Sequence, residues 1–242
     1  MNARHAWLGG IAALGLAACA APPAGPPPDS GERPYVGPSA EPGIPYVVDP
    51  DSSSIVVRVY RGGTLARLGH NHIVAAGPLD GRVIVREPVA DSSASLGFAV
   101  DELRVDEPAL RAAAGADFPG EVPADDIAGT HSNMLSESLL DAANFSRIEL
   151  ELPRLGDAPA SGEAEVYVLI KGQPRALTMP LEITIERELI RARGNTTLTH
   201  GQLGLTPFSV MLGALAVRDD MDVAIDIVAR RAPRAAALTA AD

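Results

Sequence analysis

The chain has 242 residues, a formal net charge of -11 and one cysteine. This acidic balance argues against a nucleic-acid partner, because a phosphate backbone needs a basic protein surface. A lone cysteine excludes an intrachain disulfide and a cysteine-based metal site, and the length suits one all-β domain with tails.

Residues 1–18 are typical of a bacterial secretory signal peptide. A short polar start with Arg4 precedes an apolar run, beginning at Trp7, that is too short to span a bilayer. The run ends in Leu-Ala-Ala-Cys, which resembles the lipobox, in which the cysteine, here Cys19, is lipidated. We therefore expect a lipid-anchored protein of the bacterial cell envelope, and Ala20 favours the outer membrane, facing the periplasm. There are two alternatives. The segment could be an ordinary signal peptide with a spare cysteine near its cleavage site, or it could be a core helix.

Composition divides the rest of the chain into three segments. Residues 19–45 are rich in Pro, Gly and Ala and predict a semi-extended linker after the lipidated cysteine. Residues 46–231 carry the strand signals and are assigned to one β domain. Residues 232–242 are rich in Ala and predict a disordered tail.

An antiparallel hairpin between Glu163 and Glu186 is the clearest signal in the domain. Apolar and polar side chains alternate on both arms, which predicts strands with one dry face. Residues 171–175 predict the turn, and Pro180, which cannot donate to a ladder, predicts an edge or a bulge. The apolar faces supply the side chains expected to line a ligand-binding barrel: Val166, Val168, Ile170, Leu177, Met179, Leu181, Ile183 and Ile185. Alternatively, these side chains fill a solid core that leaves no room for a ligand.

Alternation or short apolar runs predict further strands elsewhere in the domain. They fall at residues 46–48, 55–60, 65–76, 82–86, 95–105, 147–152, 189–198 and 221–228. Residues 218–220 are expected to form a turn before the last strand. Eight or more strands predict an all-β fold, a closed antiparallel barrel of the kind that holds one small apolar ligand.

The period of two is lost between residues 108 and 140, which predicts one or two short helices that cover the sheet. Asp125 and Asp126 are expected to cap the second helix. Its apolar stripe would include Ile127, Met134 and Leu135. Residues 203–216 fit either a strand with a loop or a short helix.

Several stretches, in the same order, resemble the YceI-like family of bacterial periplasmic and secreted proteins. They are Tyr-Val-Val-Asp-Pro at 46–50 with Ser-Ile-Val-Val at 54–57, the helix-to-strand passage at 139–150, and the central hairpin at 168–181. The resemblance covers most of residues 46–230. It implies a lipocalin-like β-barrel that binds polyisoprenoid or similar long apolar chains, with no general catalytic machinery and no cofactor.

His70 and His72 are the candidate chemical site. Two residues apart in an extended segment, they are expected to point to one side. The chain departs from the commoner family pattern near residues 60–62, where many members carry a histidine. Here the histidines come later, at positions 70 and 72, which resembles a Gly-His-Asp/Asn variant of the family. A metal or haem site is one hypothesis, although zinc needs three or four ligands, with His131 and His200 as the further histidines. A hydrogen-bonded pair at the barrel mouth is the alternative.

Catalysis has little support in the sequence. The chain carries no Gly-x-Ser-x-Gly, His-Glu-x-x-His or Cys-x-x-Cys motif. The carboxylate pairs Glu149/Glu151 and Glu163/Glu165 alternate with apolar residues and are expected on the solvated outer face. We therefore predict a non-enzymatic protein that binds or carries a long apolar ligand such as a polyisoprenoid. A metal- or haem-binding envelope protein and an interaction module with a packed barrel are the alternatives.

Overall fold

A computed structural model of the chain describes residues 42–233. The predicted signal peptide, Cys19, most of the predicted linker and most of the predicted tail lie outside the described residues. The sheet is made of β1 (Ile44–Val48), β2 (Ser54–Gly62), β3 (His72–Ala75), β4 (Asp80–Val85), β5 (Ser93–Ala99), β6 (Arg104–Val105), β7 (Arg147–Leu152), β8 (Glu163–Ile170), β9 (Gln173–Pro180), β10 (Glu182–Ile185), β11 (Leu189–Thr199), β12 (Ser209–Val210) and β13 (Leu215–Arg231). The helices are α1 (Pro108–Ala113), α2 (Ala124–Leu135) and α3 (Ala158–Ser161).

All strand pairs in the described part of the chain are antiparallel, and one hydrogen-bonded path runs β6-β3-β2-β13-β1-β4-β5-β7-β8-β9. β13 is long enough to pair with β2 and β1 on one edge and with β12 and β11 on the other. β10 extends the sheet beyond β11. The predicted lipocalin-like all-β fold with a few short helices is confirmed.

The prediction of a closed barrel is wrong for the hydrogen-bonded sheet, because no ladder in residues 42–233 joins β9 to β11 and the sheet does not form a ring. The two strands nevertheless touch where Pro180 ends β9 and Gly194 lies in β11. A Cβ at Gly194 would overlap the Pro180 carbonyl oxygen and lie 2.7 Å from the Leu181 side chain. The close contact between β9 and β11 at this seam therefore requires a glycine at position 194.

The predicted hairpin is present, with two differences. β8 and β9 pair from Glu163 with Pro180 to Ile170 with Gln173, so the turn is two residues long rather than five. Lys171 and Gly172 both have positive φ, 48° and 68°, as a two-residue type I′ turn requires. The second arm breaks after Pro180, which confirms the predicted irregularity, and β10 leaves to pair with β11.

The last strand is longer than its apolar run, because β13 begins at Leu215. The predicted turn at residues 218–220 is wrong: the ladder with β2 continues through a register shift between Val217 and Met221. A bulge absorbs the polar residues without ending the strand.

Asp125 and Asp126 do not cap α2, contrary to the expectation. The N-cap position is Pro123, which makes no side-chain cap bond, and the two aspartates lie in the first turn. Carboxylates are favourable there because they face the positive end of the helix dipole.

Glu151 corrects a second expectation. Glu163 and Glu165 are exposed as expected, but Glu151 is only 8% exposed and its Oε2 has no hydrogen-bond partner in the described structure. Burial raises the pKa of the Glu151 carboxyl. Tyr167, its neighbour across β7 and β8, is also buried, and Glu151 is among the residues around an interior cavity lined largely by aliphatic side chains. Strand alternation alone does not reveal such burial.

The seam between β9 and β11 gives a first prediction. We expect Gly194→Ala to lower the free energy of unfolding by about 1–3 kcal/mol, the usual cost of overpacking, because the methyl group forces the strands apart. Chemical denaturation of the purified chain measures the change.

Gly129→Ala is the matched control for that substitution. Gly129 is exposed in α2 with no atom near its added methyl group. Alanine favours a helix over glycine by about 0.8–1.0 kcal/mol, so this variant should be more stable than the wild type. If Gly194→Ala had the same free energy of unfolding as the wild type, close contact between β9 and β11 at this seam would be contradicted.

Candidate functional site

Two cavities in the described part of the barrel lie at different levels along β13. The barrel cavity has a volume of about 100 Å³ and is lined largely by aliphatic side chains, including Ile225 and Ile227 of β13. The mouth cavity has a volume of about 190 Å³ and includes Leu215, Ala216 and Val217 at the start of the same strand. The two share no lining residue. They are therefore separate spaces, with core side chains between them.

The structure divides the eight predicted lining residues into two groups. The barrel cavity is lined by Val166, Met179, Leu181, Ile183 and Ile185. The remaining three are buried in the core and line neither cavity: Val168, Ile170 and Leu177. A ligand-binding role for these side chains stays a prediction.

The mouth cavity combines apolar walls with a polar rim. Its walls come from β2, β3, α2 and β13 and include Val59, Val74, Met134, Leu139 and Leu215. Its polar lining consists of Arg61, His70, His72, Thr130, Asn133 and His200. Within the described residues, no Asp or Glu lines this cavity, although the chain has 31 carboxylates against 20 cationic side chains.

His72 is held by a buried hydrogen-bond network. Its Nδ1 lies 2.6 Å from Asp106 Oδ2, and its Nε2 lies 3.3 Å from the Thr130 hydroxyl on α2. The other oxygen of Asp106 accepts from Arg111 at 2.6 Å and from the Ile73 amide at 2.9 Å. One carboxylate thus connects β3, α1 and, through His72, the helix that covers the mouth.

Asp106 carries the charge of this network. Its side chain is fully buried, and its backbone has a φ of 56°, in the left-handed region that Asp tolerates better than most residues. Burial by itself raises the pKa of Asp106, but the hydrogen bonds from His72, the Ile73 amide and Arg111 outweigh it and leave the pKa below its usual value. The carboxylate is therefore ionised in the folded protein at neutral pH.

His70, His72 and His200 all line the mouth cavity. The rings of His70 and His72 are 6.1 Å apart between centroids. Asp106 and the Asp219 carbonyl oxygen engage Nδ1 of His72 and His200, respectively. Across residues 42–233, no group of three or more His, Cys, Asp or Glu side chains is placed to hold a metal ion.

Sequence reasoning identified His70 and His72 but missed their partners. Asp106, Arg111 and Thr130 follow no motif and come from three segments that only the fold brings together. The one available signal was weak: Asp106 stands just before Pro108, where a helix can begin.

A comparison with protein-family models finds no match, and a comparison with curated proteins finds none. Among solved structures, the chain is similar to Burkholderia cenocepacia BcnA, with a TM-score of 0.53 and 14% identity over 75% of this chain and 98% of that protein. It is also similar to a polyisoprenoid binding domain from Saccharophagus degradans implicated in plant cell wall breakdown. That match has a TM-score of 0.52 and 12% identity over 78% of this chain and 99% of the domain.

A Campylobacter jejuni YceI protein is a more distant match, with a TM-score of 0.42 and 7% identity over 66% of this chain and 85% of its own. The first two similarities show that the chain shares an all-β fold with these two proteins. The YceI-like resemblance of the sequence is thereby confirmed at the level of the fold.

No helix among residues 42–233 is both long and apolar enough to cross a bilayer.

The buried network gives a second prediction. We expect Asp106→Asn to lower the free energy of unfolding by about 3–5 kcal/mol at neutral pH, because it leaves the Arg111 charge buried and unpaired. Asn also tolerates a positive φ, so the backbone is not the cause.

The pH dependence of this loss has a definite sign. Because folding lowers the pKa of Asp106, its stabilisation is present above the ordinary carboxyl pKa of about 3.9 and is lost as the pH falls. The stability gap between wild type and variant should narrow below about pH 4. Asp51→Asn, at an exposed site, is the control and should change stability by less than about 0.5 kcal/mol. A gap that widens on acidification would contradict the network.

Proposed function

We propose that the protein binds a molecule with a long apolar chain, of the polyisoprenoid class, inside the barrel, and that it catalyses no reaction. The observation that carries the proposal is a largely aliphatic cavity and a second cavity with apolar walls and a polar rim, at successive levels of β13. Burying an apolar chain there contributes about 25 cal/mol per Å² of area removed from water. The Saccharophagus degradans polyisoprenoid binding domain, which has the same fold, supports this ligand class.

The size of the cavities requires the interior to adapt. Pockets for drug-sized ligands are roughly 300–1,000 Å³, whereas the cavities here are about 100 and about 190 Å³. A long chain must therefore join them by displacing side chains between the two levels. Met221 and Val223 occupy that part of β13 and line neither cavity. Methionine is unbranched and adapts readily to a changed surrounding, which favours such a rearrangement.

The mouth cavity suits the polar end of the ligand. Arg61 supplies guanidinium donors, His70 supplies ring nitrogens, and Asn133 adds an uncharged amide. Both ring nitrogens of His72 are already engaged, by Asp106 and Thr130. The lack of a lining carboxylate in the described structure removes a source of repulsion toward a carbonyl or anionic head. In this arrangement the apolar chain extends from the mouth toward the barrel cavity.

The order Thr130, His72, Asp106 resembles a nucleophile, base and orienting acid, but its surroundings do not suit acyl transfer. Thr130 lies inside α2, where the backbone amides are used by the helix itself. A developing oxyanion needs preorganised donors, usually free backbone amides. Asp106 is also paired with Arg111. These contacts support a role in holding α2 against the mouth.

The membrane anchor is part of the same proposal. Its support is the signal-peptide pattern of residues 1–18, followed by Leu-Ala-Ala-Cys. A lipidated Cys19 would hold the protein to the bacterial outer membrane, facing the periplasm. Each buried CH₂ of its acyl chains contributes about 0.8 kcal/mol to that attachment.

A filled barrel cavity tests the binding mode. Ala192 lines the barrel cavity and packs against the core. The substitution Ala192→Phe therefore places an aromatic ring in this cavity, which has a volume of about 100 Å³. We expect at least about a tenfold loss of affinity for geranylgeraniol, an effect of about 1.4 kcal/mol, measured by displacement of a fluorescent prenyl probe.

Ala128→Phe is the matched control, because it adds the same ring on the exposed side of α2. It should bind geranylgeraniol as the wild type does. Thermal unfolding of both variants establishes that they remain folded. Unchanged binding by a folded Ala192→Phe variant would contradict a ligand inside the barrel.

A further inference from the structure

A group of exposed apolar side chains stands beside the mouth cavity. We define the apolar tip as Phe208, Val210, Met211 and Leu212. Met211 is 68% exposed and Leu212 is fully exposed. Leu68, 60% exposed, belongs to the 3₁₀ turn at residues 66–68. Single exposed apolar residues are ordinary, but a cluster of them marks an interaction site.

Backbone contacts hold the tip and the 3₁₀ turn at the same end of the barrel. The Leu65 amide donates to the Ala214 carbonyl oxygen at 2.7 Å, and a Cβ at Gly69 would lie 3.4 Å from the Leu215 side chain. β12, which contains Val210, pairs with the start of β13. The tip is therefore fixed by ladder and turn contacts at its base.

The backbone keeps the tip in a conformation that bulky side chains avoid. Met211 and Leu212 have φ values of 52° and 55°, two consecutive residues in the left-handed region. This region is sterically unfavourable for residues with a Cβ, and Gly or Asn would occupy it at less cost. Strained backbone of this kind concentrates at functional sites. Large apolar side chains at these two positions therefore point to a role outside the core.

The two segments that form the tip and the 3₁₀ turn contain no carboxylates, although the chain is acidic and Asp126 lies 3.7 Å from His70. Residues 61–72 and 201–218 contain Arg61, Arg67 and Arg218 but no Asp or Glu. Arg218 is paired with Asp220 in the next part of β13, whereas Arg67 forms no ion pair in the described structure. Both segments also contribute residues to the mouth cavity. Apolar side chains flanked by arginines suit a lipid interface with anionic headgroups.

We propose that the apolar tip inserts into the interface of a phospholipid bilayer and places the mouth cavity against the membrane surface. Met211 and Leu212 enter the boundary between headgroups and acyl chains, and Arg67 faces the phosphates. Phe208 belongs to both the tip and the mouth cavity, so it connects the membrane contact with the binding site.

A lipid surface fits the tip better than a second protein does. Stable protein interfaces bury about 800 Å² on each partner, over 20–30 residues. The tip is a narrow projection of a few side chains, which a fluid interface accommodates without shape complementarity. The contact is also separate from the chain's N-terminal side, because β1 pairs with the end of β13 and the tip lies at its start.

Amide hydrogen exchange of the full chain tests the contact locally. Exchange at residues 208–215 is measured with and without vesicles of phosphatidylethanolamine and phosphatidylglycerol. We expect vesicles to slow exchange in this segment in the wild type. Leu212→Asp should abolish the slowing, because a charge replaces the side chain that is immersed most deeply. Leu212→Asn is a second variant, which removes the apolar group without adding charge.

Both variants are expected to fold, since Leu212 makes no buried contact and both new residues tolerate its φ better. Val47→Asp is the matched control: Val47 is 51% exposed on β1, so it also exchanges an exposed aliphatic group for a carboxylate. This control should keep the vesicle-dependent protection at residues 208–215.

Two results would overturn the proposal. One is exchange at residues 208–215 that vesicles leave unchanged in the wild type. The other is protection of the same segment that rises with protein concentration without vesicles, which would assign the tip to a second copy of the chain. The docking does not rest on ligand binding, because geranylgeraniol affinity is measured without vesicles and membrane contact without ligand.

Discussion

The backbone hydrogen bonds of β13 hold the barrel together. In the described ladders, one edge of β13 pairs with β12 and β11, and β10 is attached only to β11. These three strands therefore join the sheet only through β13, whose other edge pairs with β2 and β1. Its 17 residues cross from the mouth cavity at Leu215 to the barrel cavity at Ile227. A register slip of one residue would turn every side chain to the opposite face and destroy both cavities. The apolar tip, at the start of the same strand, inherits its position from this register.

Asp106 performs a comparable task for the polar end of the site. Its two oxygens bind side chains from β3 and α1, and His72 passes the constraint to Thr130 on α2. A buried carboxylate is costly unless it is paired, so these partners must be in place together when the domain folds. The mouth is thus built from a fixed polar rim, whereas the core between the cavities consists of buried apolar side chains such as Met221 and Val223.

Local patterns predicted the sheet better than they predicted the site. Alternation identified β7, β8 and β9, and Pro180 marked the break before β10, because these features depend on neighbours in sequence. Residues 203–216 gave no clear period, since they pass from the end of one 3₁₀ turn through the short β12 and a second 3₁₀ turn into the start of β13. Glu151 was misplaced because its cover comes from the surrounding tertiary structure. Asp106 could not be found from sequence, because its role arises only where three segments meet.

Native mass spectrometry of the full chain, gently isolated from a bacterial cell envelope, tests the central claim most directly. A protein that carries a long apolar molecule inside its barrel should show an added mass that extracts into organic solvent and fragments as a prenyl chain. Reconstitution of the stripped protein with a polyprenol should restore the added mass. The bare polypeptide mass in both preparations would contradict the account and leave the barrel as a packed core.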